Sequence, residues 1–300
     1  MAPGSRTGCP VTSPIKFILL HSGMSIPTPI TFVVAVNDDE IFESNFKASP
    51  CFQGDHPYQI LMQRDFTSAT KAYNDAIDRS VNDLIVFAHQ DVVFPGRWPW
   101  FLERSLQSLR QTDPEWGVLG CYGETLNDSG RGYVYSPGRG ILGEQFDQPA
   151  LVQTLDELVL ILRKSHGLRF DAELPHFHFY GADICMAAAE KGKKSYAICA
   201  LCIHNSQQNL VLPREFYAGY RHIKRRWRKF LPIQTTCARI TNSDFYMYQK
   251  RLLEFYLRHV RRNEIGATRV EDGGKLLAQL EALHPEMASV TREPNRCLCL

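Results

Sequence analysis

Residues 82–92 read Asn-Asp-Leu-Ile-Val-Phe-Ala-His-Gln-Asp-Val. Five apolar residues without alternation, Leu84–Ala88, end abruptly on an imidazole, an amide and a carboxylate. An unbroken apolar run of this length suits a strand covered on both faces. Four further runs share the character: Ile30–Val36, Tyr58–Met62, Gly117–Tyr122 and Ser195–Ile203. Segments of helical period lie between them. In Thr67–Ser80, the residues Ala69, Ala72, Tyr73, Ala76 and Ile77 fall on one stripe, with Thr67 or Ser68 as N-cap. Trp98, Phe101, Leu102, Ser105, Leu106 and Leu109 repeat that stripe. Strand, helix and strand at these lengths predict right-handed βαβ units, hence an α/β fold with a mostly parallel sheet flanked by helices.

The rest of the chain is less decisive. Cys121–Phe146, rich in Gly and polar residues, predicts loops and short hairpins, and Leu151–Lys164 fits either a strand or a buried helix. Beyond Pro213, helical periodicity covers Arg214–Phe230, Ser243–Arg262 and Lys275–Leu283. The second of these sets Phe245, Tyr248, Leu252, Phe255 and Tyr256 on an apolar face, and the tail from Pro285 is expected to be mobile.

With 300 residues, 44% hydrophobic and 22% charged, the chain can bury a sizeable core, which excludes wholesale disorder. Thirty-four Lys and Arg against 32 Asp and Glu leave +2, which argues against a dedicated nucleic-acid coat. The nine cysteines are odd in number, and several lie in apolar runs, as reduced buried thiols do. No stretch approaches the roughly 18–20 apolar residues of a membrane-spanning helix. Phe17–Leu20 is shorter than the core of about 7–15 residues that a secretory signal needs. A cytoplasmic chain is expected, with residues 1–28 a flexible leader and Met24 a candidate start.

Open parallel sheets bind ligands beyond the carboxyl ends of their strands. The apolar runs are followed there by Asn37-Asp38-Asp39-Glu40, Gln63-Arg64-Asp65, His89-Gln90-Asp91 and His204-Asn205-Ser206. Solvated loops account for any one of these; four at one rim read as a site. Extended residues two apart share a side, so His89 and Asp91 can address one ion. One carboxylate and one imidazole leave positions for phosphate oxygens and water, which suits Mg²⁺ or Mn²⁺ on a diphosphate. Asp183 opens an apparent helix, Ile184–Lys191, closed by Gly192, and is either an N-cap or a working carboxylate. His176 and His178 read as a core-and-surface pair, and Cys199 and Cys202, placed in one strand, as structural thiols. In Arg221–Phe230, cations surround a stripe of Tyr220, Ile223, Trp227 and Phe230. That run fits a solvated face, a diphosphate clamp or an interfacial helix on anionic lipid.

Lys71-Ala72-Tyr73-Asn74-Asp75-Ala76-Ile77 followed by residues 82–92 resembles the family 2 glycosyltransferases of the GT-A fold. In that family an Ala-x-Asn helix precedes an apolar strand ending in Asp-x-Asp. Here His89 stands in place of the first Asp and Asp91 in place of the second. The His-Gln-Asp form resembles a bacterial subgroup that includes a streptomycin-biosynthesis protein. Ser49-Pro50-Cys51, Trp116–Gly120, Leu155–Leu158, Phe170-Asp171 and Phe177–Asp183 also match. The resemblance thus covers a domain of residues 29–232, leaving 233–300 as a helical extension. It implies transfer of a sugar from a nucleotide-diphosphate donor to an acceptor hydroxyl, with inversion and metal assistance. It further implies that Asn37, Asp38 and Asp65 face the donor nucleotide, that Asp91 and His89 hold a divalent cation (Mn²⁺ or Mg²⁺), and that His204 adds a ligand. Asp183 would be the base, and Arg226-Trp227 a cousin of the Arg-Trp pair near the donor phosphates. The histidine at position 89 supports a rival expectation, a non-catalytic module that binds a sugar nucleotide or a partner protein. No nucleic-acid partner is expected, and the oligomeric state is open.

Overall fold

The computed structural model describes residues 28–54, 56–127, 129–262 and 265–292. Nearly all of the expected leader, 1–27, and the end of the tail, 293–300, lie outside them. The first apolar run forms β1 (Ile30–Ala35), followed by a helical turn α1 (Asp39–Ile41), β2 (Tyr58–Gln63), α2 (Ala69–Arg79) and β3 (Leu84–His89). β1 pairs in parallel with both β2 and β3. Alternation along β3 divides the core. Leu84, Val86 and Ala88 pack with α3 (Trp98–Thr112), whereas Ile85 and Phe87 pack with α2 and α4 (Tyr180–Glu190). As expected, α2 buries Ala69, Ala72, Tyr73, Ala76 and Ile77, and Ser68 caps it by accepting from the Lys71 N–H. The stripe of α3 is buried at Trp98, Leu102, Leu106 and Leu109.

Past β3 the chain crosses to a second sheet through β4 (Val92–Val93). β5 (Val118–Gly120) returns to the first, and the glycine-rich stretch folds as β6 (Tyr122–Glu124), β7 (Gly130–Ser136) and β8 (Gly140–Gly143). The ambiguous residues 151–164 are mostly strands: β9 (Ala150–Val152), β10 (Thr154–Leu155) and β11 (Val159–Arg163). The expected single strand Ser195–Ile203 is split into β12 (Ser195–Ala197) and β13 (Cys202–His204), which belong to different sheets. Cys199 and Cys202 therefore share no strand, and the six described cysteines are all free thiols. The first sheet runs β2-β1-β3-β11-β5-β12-β9 and the second β10-β6-β7-β13-β4, with β8 on β7. The fold is α/β as expected, with a mixed sheet, because β11 runs antiparallel to β3 and β5.

The C-terminal third is stitched into this body. α5 (Arg214–Arg226) contributes Phe216, Tyr220 and Ile223 to the core beneath α4, and Ile233, Ile240 and Met247 join the same cluster. α6 (Phe245–Tyr256) buries only Met247 and Glu254. Its expected apolar face is therefore not core: Phe245, Tyr248, Leu252, Phe255 and Tyr256 are all exposed. α7 (Gly273–Leu283) packs Leu276 and Leu280 on Val93, Tyr133 and Ile203 of the second sheet. The stretch from Pro285, expected as a mobile tail, forms a 3₁₀ turn and α8 (Ala288–Thr291), which bury Met287 and Val290. Among the described residues, no helix is long and apolar enough to cross a membrane.

Candidate active site

The crossing between the sheets builds the site. His89 ends β3 on the face of Ile85 and Phe87, which turns its ring toward α4. Three residues on, Val92 of β4 pairs with His204, the end of β13, and the Asn205 N–H donates to the Asp91 carbonyl at 2.9 Å. Two strand ends thereby bring His89, Asp91 and His204 within 4.8 Å of one another by their ligand atoms.

Each member of this trio already has protein partners. Asp91 is 7% exposed; its Oδ1 lies 3.5 Å from His204 Nε2 and its Oδ2 accepts from Arg269 Nη2 at 3.1 Å. Arg269 is anchored in turn, its Nε donating to the Asn205 carbonyl at 2.8 Å. Burial alone would raise the Asp91 pKa, but the charge and hydrogen bond of His204, with His89 and Arg269, outweigh it and hold the carboxyl well below the usual range. Burial also disfavours a charged His204, yet the adjacent Asp91 carboxylate prevails and raises its pKa. Burial and the neighbouring His204 both push His89 toward the neutral imidazole. His89 Nε2 lies 2.8 Å from the Tyr180 hydroxyl, which donates to the Glu157 carbonyl at 3.0 Å. A hydroxyl has one proton to give, so Tyr180 accepts from Nε2–H and leaves His89 Nδ1 with its lone pair. Two imidazoles and a carboxylate are a donor set for a first-row divalent ion such as Mn²⁺. The three residues fit such an ion once Arg269 yields its hold on Asp91.

The rim extends through β1. Gln90, the middle residue of the motif, accepts from the Asn37 and Asp38 N–H groups at 3.0 and 3.2 Å and donates to Asn37 Oδ1 at 2.6 Å. This clamp ties the loop after β1 to the loop after β3, so Asn37 and Asp38 lie beside His89 and Asp91. Asp38 also caps α1 by accepting from the Ile41 N–H. Asp65, exposed and in the left-handed region at φ 62°, follows β2, the next strand along the rim.

Asp183 and Arg226 sit elsewhere. Asp183 is the fourth residue of α4, one turn past Tyr180, and is 0% exposed. Its Oδ1 accepts from Trp227 Nε1 at 2.7 Å and faces Arg226 Nε at 3.4 Å, while Oδ2 accepts from the Asp171 N–H at 3.3 Å. Burial raises its pKa despite these partners. Arg226, itself exposed, also pairs with Asp171 and stacks over the Trp227 ring, and so acts as a counter-ion of this network. α4 thus joins the two groups, but Asp183 presents no open face to the rim. It is not the N-cap either, because Phe179 takes that place at φ 68°. A left-handed conformation is costly for a bulky residue, and here it sets the first turn that delivers Tyr180 to His89.

Glu157, to which the sequence assigned no role, also lies beside this group. It is partly exposed, and its Oε1 accepts from the Gly181 N–H at 3.4 Å across the start of α4. Burial and then the charge of Asp156 push its pKa up to about 8, although backbone N–H groups at the helix start oppose the shift. The sequence match covers Leu155–Leu158 as a whole, and the neighbourhood of Tyr180 in three dimensions picks Glu157 out of that stretch. The hollow of about 420 Å³ along β7 and β8, lined by Arg131, Glu144 and Phe146 among others, shares no residue with this rim.

A rim of carboxylates and imidazoles at the strand ends of a mixed α/β sheet defines a ligand-binding class of protein. Residues 31–223 match the model of a glycosyltransferase-like family, and the chain belongs to that family. A curated relative from Fuscovulum blasticum, described as "ATP synthase subunits region ORF 6", is 26% identical over 165 residues, which make up 53% of this chain and 66% of that protein. The match therefore spans just under two thirds of the relative's length. Two solved structures resemble the fold more distantly. S. aureus TarS 1–349 is 13% identical with TM-score 0.42, covering 79% of this chain and 74% of its own. The mannosyltransferase PcManGT from Pyrobaculum calidifontis, in complex with GDP-Man and Mn²⁺, is 12% identical with TM-score 0.41, covering 92% and 81%. Likeness at these scores carries no weight, and the family stands on the sequence match.

Proposed function

We propose that this chain transfers a sugar from a nucleoside-diphosphate donor to an acceptor hydroxyl in a single displacement with inversion. The observation that carries the reading is the His89–Asp91–His204 group at the strand-end rim of a chain in a glycosyltransferase-like family. The kinship with the His-Gln-Asp subgroup belongs to the same proposal. In this reading Asn37, Asp38 and Asp65 line the donor nucleotide side, with Gln90 fixing the first two. His89 Nδ1, Asp91 and His204 would hold a divalent cation, which would neutralise charge on the diphosphate as it leaves. The acceptor oxygen bonds to the anomeric carbon, the bond from that carbon to the phosphate oxygen breaks, and its electron pair departs with the diphosphate. The acceptor proton goes to Glu157, whose main chain accepts from the Tyr180 hydroxyl beside His89 and whose pKa near 8 matches it to proton uptake from a hydroxyl near neutral pH. Asp183, the base implied by the resemblance, is assigned a positioning role: it locks α4 to Trp227 and Arg226.

Turnover of a nucleotide-sugar panel with Mn²⁺ tests the reading, with the product anomer read by NMR. Asp91→Ala should abolish transfer. Glu157→Gln should lower kcat/KM by about 10²–10⁴-fold and remove the limb that rises through about pH 8. Asp183→Asn should keep that limb. A limb lost in Asp183→Asn and kept in Glu157→Gln would return the proton-accepting role to Asp183. One observation favours a second reading, binding without transfer: both Asp91 oxygens already have protein neighbours, the Arg269 guanidinium and the His204 ring. Calorimetric nucleotide-sugar binding with no turnover on any acceptor would favour that reading.

A further inference from the structure

α6 is amphipathic the wrong way round. Its charged side faces the protein: Lys250 Nζ donates to the Cys237 carbonyl at 3.0 Å, Arg251 lies over the Tyr217 ring, and Glu254 accepts from the Leu212 N–H and the Tyr217 hydroxyl. Its outward side is apolar, with Phe245, Tyr248, Leu252, Leu253, Phe255 and Tyr256 between 42% and 64% exposed. At 100° per residue these six span about half the helix circumference. Scattered exposed apolar residues need no explanation, but a contiguous face of this kind marks an interaction surface.

Charge says what covers it. Residues 214–262 hold thirteen Lys and Arg against three Asp and Glu, a local +10 in a chain whose total is +2. Many of these cations are exposed, including Arg221, Arg225 and Arg228 around the end of α5 and Arg261 and Arg262 beyond α6. Arg226 and Lys229 are paired with Asp171 and Glu190 from outside the segment, but the excess that remains would still set two basic surfaces against each other if a second copy docked through this face. Residues 1–27 of this chain, which contain Arg6 and Lys16 and no acidic residue, would add to the repulsion. Aromatic and aliphatic side chains framed by cations are the pattern of a helix lying in a membrane interface, its apolar side sunk about 5–10 Å and its cations on anionic headgroups. The aliphatic Leu252 near the centre of the patch and Leu253 at its edge set it apart from a base-stacking platform, which uses rings alone. We infer that α6 is a peripheral anchor that seats this chain on an anionic lipid surface. The inference is independent of the proposed reaction.

Sedimentation of the full chain with vesicles tests it. Binding to phosphatidylcholine vesicles containing phosphatidylglycerol is expected, with weak binding to phosphatidylcholine alone and release by salt. Leu252→Glu combined with Phe255→Glu should weaken binding at least about tenfold, with thermal melting unchanged because both sites are exposed. Arg261→Gln should weaken it about fivefold. No binding to anionic vesicles would overturn the inference. So would full binding by the folded double-Glu variant, self-association that this variant abolishes, or higher affinity for single-stranded RNA than for the vesicles.

Discussion

Asp91 is contested ground. A guanidinium already occupies one of its oxygens, so a divalent ion entering beside His89 and His204 must displace Arg269. Arg269→Gln should therefore bind Mn²⁺ about tenfold more tightly, since removing one like charge near a partly buried site is worth on the order of 1–2 kcal/mol; titration calorimetry would show it. Asp183 is the opposite case, a carboxylate that serves the fold. Asp183→Ala would leave the Trp227 N–H and the Arg226 charge without their buried partner, at about 3–5 kcal/mol by denaturant unfolding. Glu157 sets a pH dependence. Its folded pKa near 8 exceeds the unfolded value of 4.5, so the native state binds more protons in that window. Stability therefore falls as pH rises from about 4.5 to about 8. Glu157→Gln should flatten the fall by on the order of 1–2 kcal/mol, below the full shift because the side chain is partly exposed. Residues of this kind differ in how legible they are. His89, Asp91 and His204 could be read because each ends an apolar run. Glu157 and Arg269 could not, because their partners are separated from them by 23 residues or more in sequence.

At the scale of elements, local pattern succeeded where one face is buried and failed where sheets exchange strands. The stripe of α2 is recovered residue by residue, down to the Ser68 cap, and that of α3 except for half-buried Phe101. The run Ser195–Ile203 reads as one strand because all of it is apolar, yet the chain changes sheets at residues 198–201, and those residues are buried without being strand apart from intermediate Cys199. Periodicity carries no mark of such a crossing. The same limit hid Gln90, whose spacing says nothing of Asn37 until β1 and β3 are neighbours. Gln90→Ala should cost only about 1 kcal/mol, because the bonds are exposed. It should nevertheless speed hydrogen exchange at the Asn37 and Asp38 amides, with the rest of β1 unchanged. α6 misled for a related reason. An apolar face predicts burial but not whether the burying surface belongs to the same molecule.

Across the whole molecule, the C-terminal third is a working part of the body. α7 closes the apolar cluster over the second sheet with Leu276 and Leu280, both 1% exposed or less. Leu280→Ala should cost about 2–5 kcal/mol in chemical denaturation, as a cavity in a packed core does. Because α7 leans on Val93 of β4, the strand that follows Asp91, the same variant should also weaken Mn²⁺ binding.

Arg269 has one more consequence, for the order in which the chain emerges during synthesis. The segments bearing His89, Asp91 and His204 leave the ribosome dozens of residues before the guanidinium that steadies Asp91. Until that guanidinium arrives, the buried carboxylate has only imidazoles for company. A nascent chain stalled before residue 269 would carry a nearly complete but electrically unfinished centre, open to whatever cation it first meets.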